Sequence, residues 1–399
     1  MNSLLSLAVP LLLNIFQYLA LTDKKSLSLC CTYLRKIVSH PLQWSGAVIK
    51  KSLLRDEKDL SGFLSISRYS LLLEVDLSDL KYQFIDKTVA NQFLKYLQHN
   101  TNLKIVNFNN NDFSKFPAFP LSSSLQRCHR LSLSSTNLET EQINSILGKC
   151  CRGKYAKSVD LSFNDLTYVN LNLLSESILS LRDLNLSYTN LTAPLSKKLT
   201  LAVNDSTIRI LDLSGNDLYD SNFDNISLNQ DLHTLKLSHV KLNPVNLDKI
   251  FTNLTLLHNI EQLCLDGTAI GPVDPILLSD AIVRISRVDM NFCWLYQHHV
   301  EFIFDSINEN TKIKYLNLSG NHLEDVNIDL LLDAMNNLEV LKVEWANLSE
   351  EQFELIILES QNLKNRKIVL NHFELIDNYL GLHRLAKTNP NIILNIEKD

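Results

Sequence analysis

One eleven-residue pattern recurs along the chain and constrains its fold more than any other feature. It reads LxxLxLxxNxL, and the ninth place holds Asn, Thr, Val, Cys or Ala in different copies. Six copies align without gaps: AKSVDLSFNDL (156–166), LRDLNLSYTNL (181–191), IRILDLSGNDL (208–218), LHTLKLSHVKL (232–242), IEQLCLDGTAI (260–270) and IKYLNLSGNHL (313–323). The residue at the sixth place of the pattern recurs every 24 to 31 residues between Leu77 and Ile396. One copy cannot cover its own apolar edge, so neighbouring copies are expected to stack.

Two residue periodicities alternate within each copy. The LxL core alternates between the two sides of the chain, which predicts a short parallel strand. Helical spacing of apolar residues follows in DKTVANQFLKYLQ (86–98), HHVEFIFDSI (298–307) and SEEQFELIILES (349–360). Ser349 and Gln352 have the spacing of a capping box at the start of the last of these helices. The sequence therefore predicts an α/β fold in which parallel strands alternate mainly with helices.

The pattern resembles the leucine-rich repeat, and its alternating short and long spacings resemble the ribonuclease-inhibitor type of array. This resemblance implies a right-handed solenoid, shaped as a horseshoe, with parallel strands on the concave face and mainly helices on the convex face. Residues 71–399 would then hold about 12–13 repeats.

The first 22 residues carry no charged side chain and lie outside the repeat pattern. A helix over residues 10–21 would present two apolar faces, one formed by Leu12, Ile15, Phe16 and Leu19 and the other by Leu11, Leu13 and Tyr18. A second helix is expected between Asp23 and Pro41, with Leu27, Cys30, Cys31, Leu34, Ile37 and Val38 on one face and Lys24, Lys25, Arg35 and Lys36 mostly away from it. So small a helical unit covers one face of the first helix, and the other face predicts a partner protein.

Residues 7–44 read LxxxxLxxIFxYLxxxDxxxLxxCCxxLRxIxxxPLxW, which resembles the F-box. Three places depart from that family's pattern: Ala8 stands for the usual Pro, Pro10 for an acidic residue and Lys24 for a hydrophobic one. The resemblance implies a small all-α F-box unit at 1–48, followed at 49–70 by a connector or degenerate capping repeat. It also implies a set of contacts to the Skp-type adaptor: Leu7, Leu12, Ile15, Phe16, Leu19, Cys30 and Trp44.

Together the two segments resemble the F-box/leucine-rich-repeat family. Its members are non-catalytic substrate receptors of SCF-type cullin–RING ubiquitin ligases, in which the F-box docks on the adaptor and the repeats capture target proteins. The alternative from another class is a leucine-rich-repeat scaffold or inhibitor whose N-terminal helices only cap the array.

Aromatic side chains are placed near the exposed strand positions of the repeat. The eighth place holds Phe163, Tyr188, His239, Phe292, Trp345 and His372, and the tenth place adds Trp294 and His322. Large exposed rings are typical anchors of binding surfaces. Because the rings concentrate toward the C-terminal repeats, the predicted substrate-binding residues are Phe292, Trp294, His322, Trp345 and His372.

Other functions find less support in the sequence. Acidic residues at the fifth place, namely Asp76, Asp160, Asp212 and Asp289, are expected to form a solvated acidic face. We find no catalytic set, metal-ligand spacing or cofactor motif. A net charge of −6 with no evident basic stripe argues against nucleic-acid binding.

The location expected from the sequence is intracellular, cytoplasmic or nuclear. The seven cysteines are odd in number and do not read as a disulfide framework. The uncharged opening contains Pro10, Asn14 and Gln17 and lacks the basic residues and cleavage site of an export signal, so no membrane association is expected. Seven Asn-x-Ser/Thr sequons exist, but Asn185 and Asn317 lie within predicted strands, where a glycan would crowd the next repeat.

Overall fold

In a computed structural model, the structure describes residues 7–19, 21–38, 40, 43, 48–49, 73–79, 87–100, 102–152, 154–224, 226, 229–363, 366–371 and 386–395. The chain divides into two compact units, Met1–Thr189 and Asn190–Asp399. This division falls inside the predicted repeat array. The predicted boundaries at 48 and 70 stay predictions, because residues 50–72 lie outside the described residues.

The first unit begins with helices and continues with alternating strands and helices. Its helices are α1 (Val9–Phe16), α2 (Leu21–Cys30), α3 (Thr32–Val38), α4 (Lys87–His99), α5 (Ala118–Leu125), α6 (Thr140–Ile146), which a π-helical turn at Leu147–Cys151 extends, and α7 (Leu171–Ile178). Its strands are β1 (Val48–Ile49), β2 (Glu74–Asp76), β3 (Ile105–Asn107), β4 (Arg130–Ser132), β5 (Ser158–Asp160) and β6 (Asp183–Asn185).

The second unit continues the same alternation. Its helices are α8 (Ala193–Asn204), α9 (Pro244–Leu256), α10 (Pro275–Ile282), α11 (Gln297–Ser306), α12 (Ile328–Met335) and α13 (Glu350–Ser360). Its strands are β7 (Ile210–Asp212), β8 (Thr234–Lys236), β9 (Gln262–Cys264), β10 (Arg287–Asp289), β11 (Tyr315–Asn317), β12 (Val340–Lys342), β13 (Lys367–Asn371) and β14 (Ile392–Asn395).

Within each unit, successive strands pair in parallel and in chain order. The fourth-place residue of each copy faces the core, as Leu211 and Leu316 do, and the sixth-place residue is buried beside it. Third-place residues such as Thr234 remain partly exposed on the opposite, solvent-facing side, which we call the strand face. The predicted α/β fold of parallel strands and helical connections is confirmed.

The ninth-place residues join neighbouring copies by hydrogen bonds. Buried Asn164 donates from Nδ2 to the carbonyls of Leu133 (2.7 Å) and Leu161 (3.0 Å). Its Oδ1 accepts from the backbone N–H groups of Thr136 and Leu138, both at 3.2 Å. Because the strands are too short to use every backbone group of the turn, one buried amide satisfies the remaining groups from two copies.

The fifth-place Asp and Asn residues have a local role that the sequence analysis did not anticipate. Oδ1 of Asp160 accepts from the N–H of Ser162 at 3.0 Å, and Asp212 makes the same bond to Ser214 at 3.0 Å. Asn317 does so with Ser319 at 3.1 Å. These side chains close the turn after the strand, as Asx turns do, so they are only partly available as a solvated acidic face.

Polar residues near the start of several helices also reach back to the preceding copy. Ser349 caps α13, and Ser349 and Gln352 complete the predicted capping box. Nε2 of Gln352 also donates to the carbonyls of Leu323 (3.0 Å) and Val326 (2.9 Å). The Gln352 side chain therefore caps the start of α13 and also holds α13 to the preceding copy by hydrogen bonds.

The N-terminal helices differ from the prediction in two ways. The first helix ends at Phe16, and the segment expected as one helix is broken at Cys31 into α2 and α3. Lys24, expected to point away from the packed face, is buried, and its Nζ donates to the carbonyl of Gln43 at 2.8 Å. Burial lowers the pKa of the Lys24 ammonium.

All seven cysteines are free thiols: Cys30 is exposed, Cys31 is half-buried, and Cys128, Cys150, Cys151, Cys264 and Cys293 are buried. Burial raises the pKa of the Cys150 thiol to about 12. Among the helices that the structure describes, none combines the length and apolar character needed to cross a membrane.

Candidate functional site

The eighth place of the repeat is a left-handed turn position, whichever residue occupies it. Gly215, Gly267 and Gly320 have φ values of 67–68° there, and large side chains adopt nearly the same angle: Phe163 (55°), Tyr188 (55°), His239 (54°), Phe292 (50°) and Trp345 (55°). The turn is held by a backbone bond to the next copy, for example from the Phe292 N–H to the Ser319 carbonyl at 2.8 Å. Bulky residues at positive φ are strained and are found most often at functional sites.

At the eighth place of the second unit's repeats, copies with a ring alternate with copies that have a glycine. The ring of one copy lies against the glycine of the next copy, as His239 does with Gly267 and Phe292 with Gly320. A Cβ atom added to Gly320 would stand 2.7 Å from Cγ of Phe292, and one added to Gly267 would overlap the His239 ring. Gly320 is therefore required both for its positive φ and for its missing side chain.

We expect Gly320→Ala to destabilise the second unit by about 2–4 kcal/mol, the sum of left-handed strain and overlap with Phe292. Adding Phe292→Ala removes the overlap but not the strain, so the double variant should recover about 1–2 kcal/mol relative to Gly320→Ala. Denaturant unfolding of the four species measures this coupling. Gly148→Ala, whose added Cβ would meet only Leu173 at 3.7 Å, is the control. Additive effects would show that the ring does not rest on the glycine.

The predicted substrate-binding rings keep a large exposed area despite this packing. Trp294 is 74% exposed, Phe292 53% and Trp345 44%. His322 is exposed, and its Nδ1 lies 2.8 Å from Nδ2 of Asn347. We call Phe292, Trp294, His322 and Trp345 the ring row. His372, the fifth predicted residue, lies outside the described residues.

A polar cluster lies on the strands that lead into the ring row. Nε of Arg287 donates to Oδ2 of Asp289 at 3.0 Å, and the Arg287 guanidinium lies 3.7 Å from the Tyr315 ring centroid. Nδ2 of Asn317 contacts the other Asp289 oxygen at 3.4 Å. Asp289, expected as part of a solvated acidic face, is instead 7% exposed and paired, because strand neighbours on both sides cover it.

The cluster also includes the phenol of Tyr315. Burial, followed by the nearby Asp289 carboxylate, raises the pKa of Tyr315 to about 12. The phenol and the Arg287 guanidinium therefore both lie beside the Asp289 carboxylate. Among the described residues, no three His, Cys, Asp or Glu side chains come together as a metal site. An arginine, a phenol and several rigid rings form a surface suited to binding protein side chains.

A second surface lies on the N-terminal helices, where α1 and α2 both pack against α3. Leu12 and Phe16 of α1 are buried, at 0% and 1% exposure, so in this arrangement they form the internal core and do not contact a partner. The large apolar side chains that remain exposed are Val9 (45%), Leu11 (48%), Ile15 (40%), Tyr18 (84%), Leu29 (68%) and Tyr33 (37%), and we call them the N-terminal apolar surface.

The other predicted adaptor contacts are divided by the structure. Cys30 is exposed beside this surface, whereas Leu7 and Leu19 are half-buried. Trp44 lies outside the described residues. Leu11, Tyr18, Leu29 and Tyr33 were not predicted as contacts, although Leu11 and Ile15 have the i, i+4 spacing of one helix face.

The repeats have the leucine-rich-repeat fold. An internalin from Listeria monocytogenes (inlF) superimposes with a TM-score of 0.50 at 13% identity over 86% of this chain and 90% of its own. The leucine-rich-repeat protein LegL7 from Legionella pneumophila gives a TM-score of 0.41 at 17% identity, over 86% and 97%. At these identities the likeness concerns the fold alone.

A sequence relative belongs to the same broad class. The mouse NACHT, LRR and PYD domains-containing protein 4B is 30% identical over 91 residues, which is 22% of this chain and 10% of that protein. The chain thus aligns with about a tenth of this relative's length. No family model matches the chain.

Proposed function

We propose that this protein is the substrate-recognition subunit of an SCF-type ubiquitin ligase. The N-terminal helices would dock on a Skp-type adaptor and, through it, on the cullin–RING assembly. The strand face would hold target proteins, and the chain itself would catalyse no step. The observation that carries the proposal is that α1 is apolar on two sides, with only one side covered.

Burial on α1 supports docking of a partner on its open side. Leu12 and Phe16 fill the core, while Leu11 and Ile15, which lie beside them on α1, and Tyr18, just after the helix, face solvent. Burying a large apolar side chain contributes about 1.5–3 kcal/mol, so four such residues supply about 6–12 kcal/mol against the costs of association. Exposed apolar residues gathered on one small helical unit are typical of an interaction site.

The ring row supports a target site on the strand face. Phe292, Trp294 and Trp345 stand on backbone in the left-handed conformation and keep much of their ring area exposed, and large exposed rings are typical anchors of binding surfaces. Holding a target near the ligase raises the effective concentration of its lysines at the bound ubiquitin-conjugating enzyme. Two separate surfaces on one chain are what a bridging receptor requires.

We place this function inside the cell. Two of the sequon asparagines are buried in the repeat, Asn253 at 5% and Asn317 at 7% exposure, and both use their amides in hydrogen bonds. Glycosylation at either site would disrupt the packing of adjacent copies. The unlinked cysteines also suit a reducing compartment.

We expect wild-type protein co-expressed with a Skp-type adaptor to elute with it, and Ile15→Asp to lose the adaptor. A carboxylate placed in the centre of an apolar interface would be buried without a partner. Ile15 is 40% exposed, so the change should leave the helical unit folded, whereas a charge at buried Phe16 would unfold it. Gel filtration followed by quantification of the adaptor band is the measurement.

The matched control is Leu256→Asp, which adds the same charge at a 56% exposed leucine on α9. It should retain the adaptor. Failure of the wild-type protein to retain the adaptor, or equal retention by Ile15→Asp, would contradict the proposal and favour a scaffold whose N-terminal helices serve only as a cap.

A further inference from the structure

The first unit carries a row of basic side chains where its strands begin. Lys104, His129, Lys157 and Arg182 each occupy the second place of the repeat, immediately before β3, β4, β5 and β6. Backbone bonds place them side by side, from the N–H of His129 to Lys104 O (2.6 Å), of Lys157 to His129 O (2.8 Å) and of Arg182 to Lys157 O (2.8 Å). We call these four residues the basic row.

The basic row differs from the expectation that the chain carries no basic stripe, and for this unit that expectation is wrong. The four residues are 25, 28 and 25 positions apart, so they form a row only when the repeats stack. The net charge of −6 conceals them, because acidic residues elsewhere outnumber the basic ones.

The basic row is open to solvent. Lys104, His129 and Arg182 are exposed, and half-buried Lys157 contacts only a neutral group in the bonds described, the Ser180 carbonyl at 3.3 Å. Within the part of the chain that the structure describes, none of the four lies within 4.0 Å of a carboxylate as an ion pair. Two more exposed guanidinium groups lie close to His129 in the chain: Arg127, and Arg130 at the start of β4 on the strand face.

The surroundings add one aromatic ring and four carboxylates. The Tyr155 ring centroid lies 6.0 Å from that of His129, and Nζ of Lys154 lies 5.2 Å from the same ring. The acidic residues on these and the adjacent strands are Glu74 beside Ile105, Asp76 beside Asn107, Asp160 at the far end of β5, and Asp183, which follows Arg182. Lys157 and Arg182 lie one strand spacing apart, about 4.8 Å, and Lys104 lies two spacings from Lys157, so these like charges repel one another and an anionic partner would stabilise the arrangement.

We propose that the basic row binds an acidic, extended segment of a partner protein. Four strands at about 4.8 Å span about 14 Å, which equals four or five residues of extended chain at about 3.3 Å each. A nucleic-acid footprint usually involves about 6–10 phosphate contacts, more than this edge provides. The site belongs to the first unit and does not depend on adaptor binding at the N-terminal helices. The binding test below can therefore fail without contradicting the proposed ligase role, and the adaptor test can fail without contradicting this proposal.

The test uses the full chain and a fluorescein-labelled decaglutamate peptide, with binding followed by fluorescence anisotropy at low salt. The variant Lys104→Glu/Lys157→Glu/Arg182→Glu should bind about tenfold more weakly or worse, because three attractions become repulsions. The control Lys95→Glu/Lys115→Glu/Lys197→Glu makes the same change in net charge at exposed lysines outside the row and should bind as the wild type does. Circular dichroism checks that both variants are folded.

Decaglutamine, which has no charge, should not bind, and added salt should weaken the binding of decaglutamate. Absence of decaglutamate binding to the wild type, or equal binding by the two triple variants, would overturn the proposal. A ten-nucleotide single-stranded RNA that binds more tightly than decaglutamate at the same salt, and only when the row is intact, would assign the edge to nucleic acid and also overturn it.

Discussion

Asn164→Ala is expected to lower the free energy of unfolding by about 3–5 kcal/mol. The side chain is buried, and its removal leaves the N–H groups of Thr136 and Leu138 without their bonds to Oδ1. The carbonyls of Leu133 and Leu161 lose their bonds to Nδ2 as well. Each buried polar group left without a partner costs about 1–3 kcal/mol, and several are affected together.

Guanidinium unfolding followed by circular dichroism measures this effect, and hydrogen exchange at Thr136 and Leu138 localises it. Repeat proteins unfold in nearest-neighbour steps, so faster exchange should be strongest in the copies that Asn164 joins. Asn336→Ala, at an exposed asparagine at the end of α12, is the matched control and should change stability by no more than about 0.5 kcal/mol. An equally small change for Asn164→Ala would mean that the ninth-place amides do not hold neighbouring copies together.

Phe292→Ala/Trp345→Ala is expected to abolish target capture while leaving the adaptor bound. Aromatic anchors at the centre of an interface commonly contribute about 2 kcal/mol or more each, so losing both should weaken binding about a thousandfold. The measurement is affinity capture under proteasome inhibition, comparing proteins retained by the wild type and by the variant. Adaptor recovery in the same samples separates loss of target from loss of fold.

The first unit provides the matched control. Phe163 and Tyr188 occupy the same eighth place, and their rings stack on each other with centroids 4.8 Å apart and planes 9° apart. Phe163→Ala/Tyr188→Ala removes two rings from the same turn position and should leave the captured proteins unchanged. If instead this control loses the targets and the second-unit variant keeps them, the target site lies in the first unit.

The strands and most helices were predictable because their signals are local and repeated. The LxL core placed a solvent-facing residue between two buried ones in copy after copy, and Ser349 and Gln352 marked the start of α13. The left-handed turn was also predictable from the sequence. Gly215, Gly267 and Gly320 alternate with rings at the eighth place of the repeat, and a glycine that recurs at one repeat position often indicates a positive φ.

Other features depended on distant parts of the chain. The burial of Lys24 relies on a carbonyl at Gln43, 19 residues away, and helical periodicity alone places this lysine on the solvent side. The basic row arises only from the stacking of copies, since Lys104 and Lys157 are not close in sequence. The turns closed by the fifth-place aspartates were partly predictable. A serine two positions after the aspartate, as in Asp160 and Ser162, is a local sequence sign of an Asx turn.

The central claim is that the exposed side of α1 contacts a foreign protein. Photo-cross-linking tests it most directly, with a photoreactive residue placed at Ile15 (40% exposed) in one sample and at Leu256 (56% exposed) in another. In the presence of a Skp-type adaptor, we predict a single cross-linked product of one chain and one adaptor from position 15 and none from position 256. Cross-links from position 15 to the repeats of the same chain, with none to the adaptor, would contradict the account.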